Sequence, residues 1–182
     1  MGRGGRAGGA RGGRLRALRC LMFNPQTLGR VGRLADLCDC AANDGRDLLV
    51  LPGTCWTADG ASPEVSRFVV GGRKGGWECW SFPGTRADKA AGIVICLREG
   101  LSGGFRVTYG VGVPGRVAWL RLKDSLCDLV VMGVYVPPDS PVGGRARATL
   151  AGLETALAAV PARAALLVGG DFNAQLGEPR MG

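Results

Sequence analysis

Asp171 and Asn173 stand two residues apart in GGDFNAQLG (Gly169 to Gly177), directly after the apolar run AALLV. In extended backbone, residues i and i+2 share a face, so the carboxylate and the carboxamide project together while Phe172 turns back toward the core. Such a pair can orient a water or hold a phosphate-bound Mg²⁺, because hard cations take oxygen ligands. Asp, Asn and Gly are also ordinary turn residues, and the spacing alone does not separate a site from a polar turn. Two other polar residues close apolar runs in the same manner: Asn24 after CLMF, and Tyr135 shortly before Pro137-Pro138. Polar groups just past the carboxyl ends of strands are where α/β folds usually build their sites.

The chain of 182 residues contains no histidine, which excludes Ser/His/Asp and Cys/His catalysis and any histidine general base from this polypeptide. Seven cysteines, at positions 20, 38, 40, 55, 79, 96 and 127, form no CxxC pair, a spacing that argues against a zinc site. Cys20 and Cys96 sit in apolar strand-like runs and read as small core residues. An odd set of unpaired thiols is expected of an intracellular, reducing compartment.

These residues need elements to position them. LRALRCLMF (Leu15 to Phe23) has the pattern of a first strand, with a loop at Pro25 to Gly29. Leu28, Val31, Leu34, Ala35, Cys38 and Ala41 recur at helical steps up to Asn43-Asp44-Gly45, and DLLVLPG (Asp47 to Gly53) is a short strand that Pro52 should break. Strand, helix and strand predict a right-handed crossover. Five further strands are expected at RFVVGG, AGIVICL, FRVTYGVGV, RVAWLRL and DLVVMGVYV. The Gly/Lys/Trp-rich stretch from Gly71 to Asp88 is expected to be the least structured internal segment. Leu150, Leu153, Leu157 and Val160 mark one face of a helix starting near Arg145, and AALLVGG is a last strand. Helices at both ends with strands between describe an α/β protein whose mixed sheets pack against helices.

The net charge of +8 is concentrated: the first nineteen residues hold six arginines and no acid. Residues 1–14 are expected to be a disordered Gly/Arg-rich tail and 15–182 a single domain. Guanidinium groups in such a tail suit phosphate or single-stranded RNA, though a solvated leader or a transit peptide has similar composition. No run of about eighteen apolar residues is present, so no membrane span is expected.

Five segments, in order, resemble motifs of the endonuclease/exonuclease/phosphatase superfamily. GGDFNAQLG is similar to its GDFN motif, CLMFNPQTLGRVGRLADL to its opening strand and loop, and DLLVLPGTCW to its second motif. AGIVICL is similar to its Gly-containing third strand, and VVMGVYVPP to its tyrosine-bearing strand. The likeness spans roughly residues 15 to 178 and is greatest to endonuclease domains of non-LTR retrotransposons and the craniofacial development protein 2-like sequences derived from them. It implies a four-layer, DNase I-like sandwich that cleaves phosphodiesters of nucleic acid, DNA before RNA, with Mg²⁺ as cofactor. A nuclear location would suit that chemistry. By the same resemblance Asn24 would organise the metal and phosphate, Tyr135 would contact phosphate, Asp171 would position or activate the water, and Asn173 would bind and orient the phosphate.

Two departures stand out. The position of the family's metal-binding glutamate is Gly53, and neither Asp47 nor Asp59 obviously replaces it. The family's closing Ser-Asp-His segment has no counterpart, so the expectation is a C-terminally truncated, degenerate enzyme. General acid/base assistance alone is worth about 10² to 10⁴ in rate, so activity should be weak or absent.

Overall fold

The structure, a computed structural model, describes residues 17–30, 32–58, 64–138 and 144–173. The expected tail of residues 1–14, and Asp59, lie outside them. Among the described residues, nine strands and two α-helices follow in the order β1 (Cys20–Met22), α1 (Arg33–Asn43), β2 (Leu48–Pro52), β3 (Ser66–Val70), β4 (Trp77–Phe82), β5 (Ile93–Arg98), β6 (Arg106–Val113), β7 (Val117–Lys123), β8 (Asp128–Tyr135), α2 (Arg145–Ala158) and β9 (Ala165–Asp171). No helix among the described residues is long and apolar enough to cross a membrane.

The strands make two sheets, ordered β1-β2-β5-β4-β3 and β6-β7-β8-β9. Each sheet holds one parallel pair, and each parallel pair is joined through a helix: β1-α1-β2 in the first sheet and β8-α2-β9 in the second. The remaining neighbours are antiparallel.

Alternation along the strands divides the apolar residues among three layers. Leu48, Val50, Trp80, Phe82, Ile93, Ile95 and Leu97 of the first sheet meet Ala118, Leu120, Leu122 and Val131 of the second, forming the central core. On the outer face of the first sheet, Leu34, Cys38, Ala41 and Ala42 of α1 pack on Leu49, Leu51, Trp77, Cys79, Val94 and Cys96. On the outer face of the second, Ala146, Leu153 and Ala156 of α2 pack on Val117, Met132 and Val134. The result is the expected four-layer order of helix, sheet, sheet, helix.

Three local expectations are corrected. The Gly71 to Asp88 stretch contains β4, which lies between β3 and β5 with Trp77, Cys79, Trp80, Ser81 and Phe82 buried. Its flanking Gly and Lys residues mask a strand in which five of six residues are buried, on both faces, so that no polar alternation marks it. The buried face of α2 is turned toward Ala146, Thr149, Leu153 and Ala156, leaving Leu150 44% exposed; Leu157 and Val160 cover the edge of that core only in part. Pro52 does not break β2 but ends it, opposite Ile93.

Candidate functional site

The carboxyl ends of the two parallel pairs face one another across the sandwich, and Asn24, Gly53, Tyr135 and Asp171 lie there. Gly169 permits the approach: the Met22 sulfur occupies the position that a Cβ at residue 169 would take, so the end of β1 lies directly on β9.

Asn24 follows β1, whose ladder continues through the Phe23 N–H to the Val50 carbonyl. Its Oδ1 accepts from the Gln26 N–H at 2.6 Å, forming a local side-chain turn. Its Nδ2 donates to Asp171 Oδ2 at 2.7 Å, joining segments 147 residues apart. Asp171 is the last residue of β9 and pairs with Tyr135 in the β8 register. Its Oδ1 accepts from the Asn173 N–H at 3.0 Å, and its backbone carbonyl accepts from the Val136 N–H at 2.8 Å. Asn173 Nδ2 in turn donates to the Val136 carbonyl at 2.8 Å.

The segment is not extended through its second polar residue, because Asn173 has φ 44°. The expected inward turn of Phe172 is therefore corrected: the residue is 40% exposed. Asn173 instead folds back onto the β8 exit and locks the Asp171 carboxylate with its own amide.

Gly53 follows Pro52 with φ 72°, and a Cβ there would fall 2.5 Å from Asn24 Oδ1 and 2.8 Å from its Cγ and Nδ2. The glutamate expected at this position is thus more than missing, since the Asn24 carboxamide occupies the space its side chain would leave through. Asp47 is no replacement: it precedes β2, at the opposite end of that strand, and its Oδ2 accepts from the Arg19 N–H. Two further residues complete the mouth. Gln26 and Cys55 have φ 61° and 58°, and the Cys55 thiol donates to the Gln26 carbonyl at 3.3 Å. All three non-glycine residues with positive φ among the described residues, Gln26, Cys55 and Asn173, are at this mouth. Backbone strain gathers where a site over-determines its geometry.

Tyr135 is 8% exposed and carries the Arg116 guanidinium 5.1 Å from its ring centroid. Arg116 is itself buried; its Nε donates to Asp88 Oδ2 at 2.6 Å and its Nη1 to the Tyr135 carbonyl at 3.3 Å. Burial pushes the Tyr135 phenol above its ordinary pKa; the Arg116 charge opposes this, and Asp171, Cys55 and Asp88 reinforce it. Arg116 and Asp88 escaped sequence reasoning. Neither closes an apolar run, and they are 28 residues apart.

Asn24, Tyr135, Asp171 and Asn173 are therefore brought together, and Arg116 adds a buried cation against Tyr135. The donor set does not fit a resident Mg²⁺. Such ions are held by one or two carboxylates with several waters and substrate oxygens. Here one carboxylate is available, its oxygens already accept from the Asn24 Nδ2 and the Asn173 N–H, and Gly53 offers no second ligand beside Asn24. Asp171 retains lone pairs for a water or hydroxyl. The arrangement can position a polar ligand against one carboxylate, two carboxamides and a phenol.

No family model and no curated protein matches the chain. Solved structures do. The endonuclease domain of TRAS1, a telomere-specific non-LTR retrotransposon, is similar at 17% identity and TM-score 0.56, over 87% of this chain and 62% of its own. AP endonuclease LMAP from Leishmania major is similar at 11% identity and TM-score 0.56, over 85% of this chain and 54% of its own. D. rerio TDP2, humanized by 14 mutations, is similar at 15% identity and TM-score 0.51, over 87% of this chain and 67% of its own. The chain spans a little over half to two thirds of the length of these structures. With its paired sheets, flanking helices and these likenesses, the chain has the fold of the endonuclease/exonuclease/phosphatase superfamily.

Proposed function

We propose that this chain binds phosphodiesters of nucleic acid, DNA in preference to RNA, through the mouth formed by Asn24, Tyr135, Asp171 and Asn173, and that it hydrolyses them weakly or not at all. The carrying observation is the Asn24 side chain, which bonds to Asp171 and fills the space above Gly53. Two of the similar structures are endonucleases by name, which supports a nucleic-acid phosphodiester as ligand. In this reading Asn24 and Asn173 present carboxamides to phosphate oxygens, Tyr135 presents its phenol, and Asp171 orients a water without a second carboxylate or a histidine to activate it. A reducing, nuclear setting would suit both the free thiols and the ligand.

The test is nicking of supercoiled plasmid with and without Mg²⁺, beside binding of the same DNA. Binding that Asp171→Ala and Tyr135→Phe weaken, with nicking no faster than in the absence of protein, is the expected result. Robust Mg²⁺-dependent nicking abolished by Asp171→Ala would overturn the claim of degeneracy; absence of any binding would overturn the ligand.

A further inference from the structure

The sequence spacing of the cysteines argues against a metal site, yet the fold gathers three of them at one point. Cys38 faces inward from the middle of α1, while Cys79 of β4 and Cys96 of β5 are direct cross-strand partners. All three are fully buried, and their Sγ atoms lie within 4.8 Å of one another. Among the described residues this is the only group of three potential metal-ligating side chains that meet. Cys20, Cys40, Cys55 and Cys127 stand elsewhere, each at least partly exposed.

We infer that Cys38, Cys79 and Cys96 form a binding site for one soft, thiophilic d¹⁰ metal ion. Thiolates are the ligands such ions select, and metal–sulfur bonds of about 2.3 Å around a shared ion set the sulfurs about 4 Å apart, within reach of the observed triangle. The three ligands come from a helix and two adjacent strands, so the ion would pin α1 to the sheet it covers. Binding forms up to three metal–sulfur bonds and releases one S–H proton to solvent for each. Three thiolates on a divalent ion leave one net negative charge in an apolar layer, which requires a donor. Trp77 shares a face of β4 with Cys79, and its indole N–H is buried without a hydrogen-bond partner. Because the site is closed to solvent, the ion would enter during folding or when α1 lifts from the sheet.

The full chain, refolded under reducing conditions with Cd²⁺ and dialysed, should retain one ion per chain and show a near-ultraviolet thiolate-to-metal charge-transfer band. The Cys40→Ser/Cys127→Ser double variant should retain both. Cys38→Ser, Cys79→Ala and Cys96→Ala should each lower retained Cd²⁺ at least tenfold, with circular dichroism confirming that the variant is folded. Folded wild-type chain without retained Cd²⁺, or with a band that the double variant loses, overturns the inference whatever the core variants do.

Discussion

At the scale of single residues, the mouth of the cleft is a set of mutually exclusive occupancies. A side chain at 53 and the Asn24 carboxamide cannot share their volume, and φ 72° is also costly for any residue with a Cβ. Gly53→Ala should therefore destabilise the chain by about 1–3 kcal/mol in a urea titration, with displacement of Asn24 weakening DNA binding in parallel. Gly53→Glu alone should not create a Mg²⁺-dependent nuclease, since the incoming side chain displaces the amide that steadies Asp171; a gain of Mg²⁺-dependent nicking by this single change would refute that coupling. Tyr135 offers a pH test. Its phenol is raised in the folded state, chiefly by burial, so the unfolded phenol ionises first. Its contribution is intact below the unfolded pKa of about 10 and stability falls as pH rises through and beyond it. In a Tyr109→Phe background, leaving Tyr135 as the only tyrosine, ultraviolet titration should show ionisation above the ordinary value and folding stability declining over the same alkaline range. Asn24, Tyr135 and Asp171 were legible in the sequence because each ends an apolar run. Arg116 was not, because its partners are set by how the strands and loops meet: Asp88 in a loop 28 residues earlier, and Tyr135 on a neighbouring strand. Removing it with Arg116→Ala should cost about 3–5 kcal/mol, the scale of a broken buried ion pair.

At the scale of elements, the pattern of apolar residues located eight of the nine strands and both α-helices of the described residues, and its failures share a cause. β2 and β5, also buried on both faces, stand out as continuous apolar runs, whereas Glu78 and Ser81 interrupt β4 (WECWSF), which offers neither a run nor a clean alternation. The pattern also ranks bulk above fit. In α2 the leucines suggested a face through Leu150, Leu153 and Leu157, but the helix approaches β6 through small residues, with Ala156 close to Gly112 and Thr149 bonding back to the Arg145 carbonyl. Paired truncations separate the two faces: Leu153→Ala should cost about 2–5 kcal/mol, whereas Leu150→Ala should fall within about 0.5 kcal/mol of wild type, both read by denaturant unfolding. The cysteine triangle was illegible for a related reason, because it depends on the Cys79 to Cys96 register, which no spacing along the chain encodes.

At the scale of the whole molecule, two similar half-units, each a parallel strand pair with its helix, contribute opposite sides of one cleft. Neither half has a site without the other. Under the proposed function, the basic N-terminal segment, which lies outside the described residues, is expected to add phosphate contacts. Residues 1–14 hold four arginines, so deleting them should lower the slope of log K for duplex DNA against log salt by up to about 3–4, on roughly 0.9 per phosphate contact. A slope unchanged by the deletion would show that the segment takes no part in binding. The Asn24 to Asp171 hydrogen bond carries a kinetic consequence as well. It closes a loop of nearly the whole chain, which is entropically slow to form and becomes worth forming only after both sheets have docked. The mouth is therefore expected to be the last feature to appear on refolding. A nascent or nicked chain is then expected to hold most of its secondary structure while lacking the mouth that Asn24 and Asp171 close.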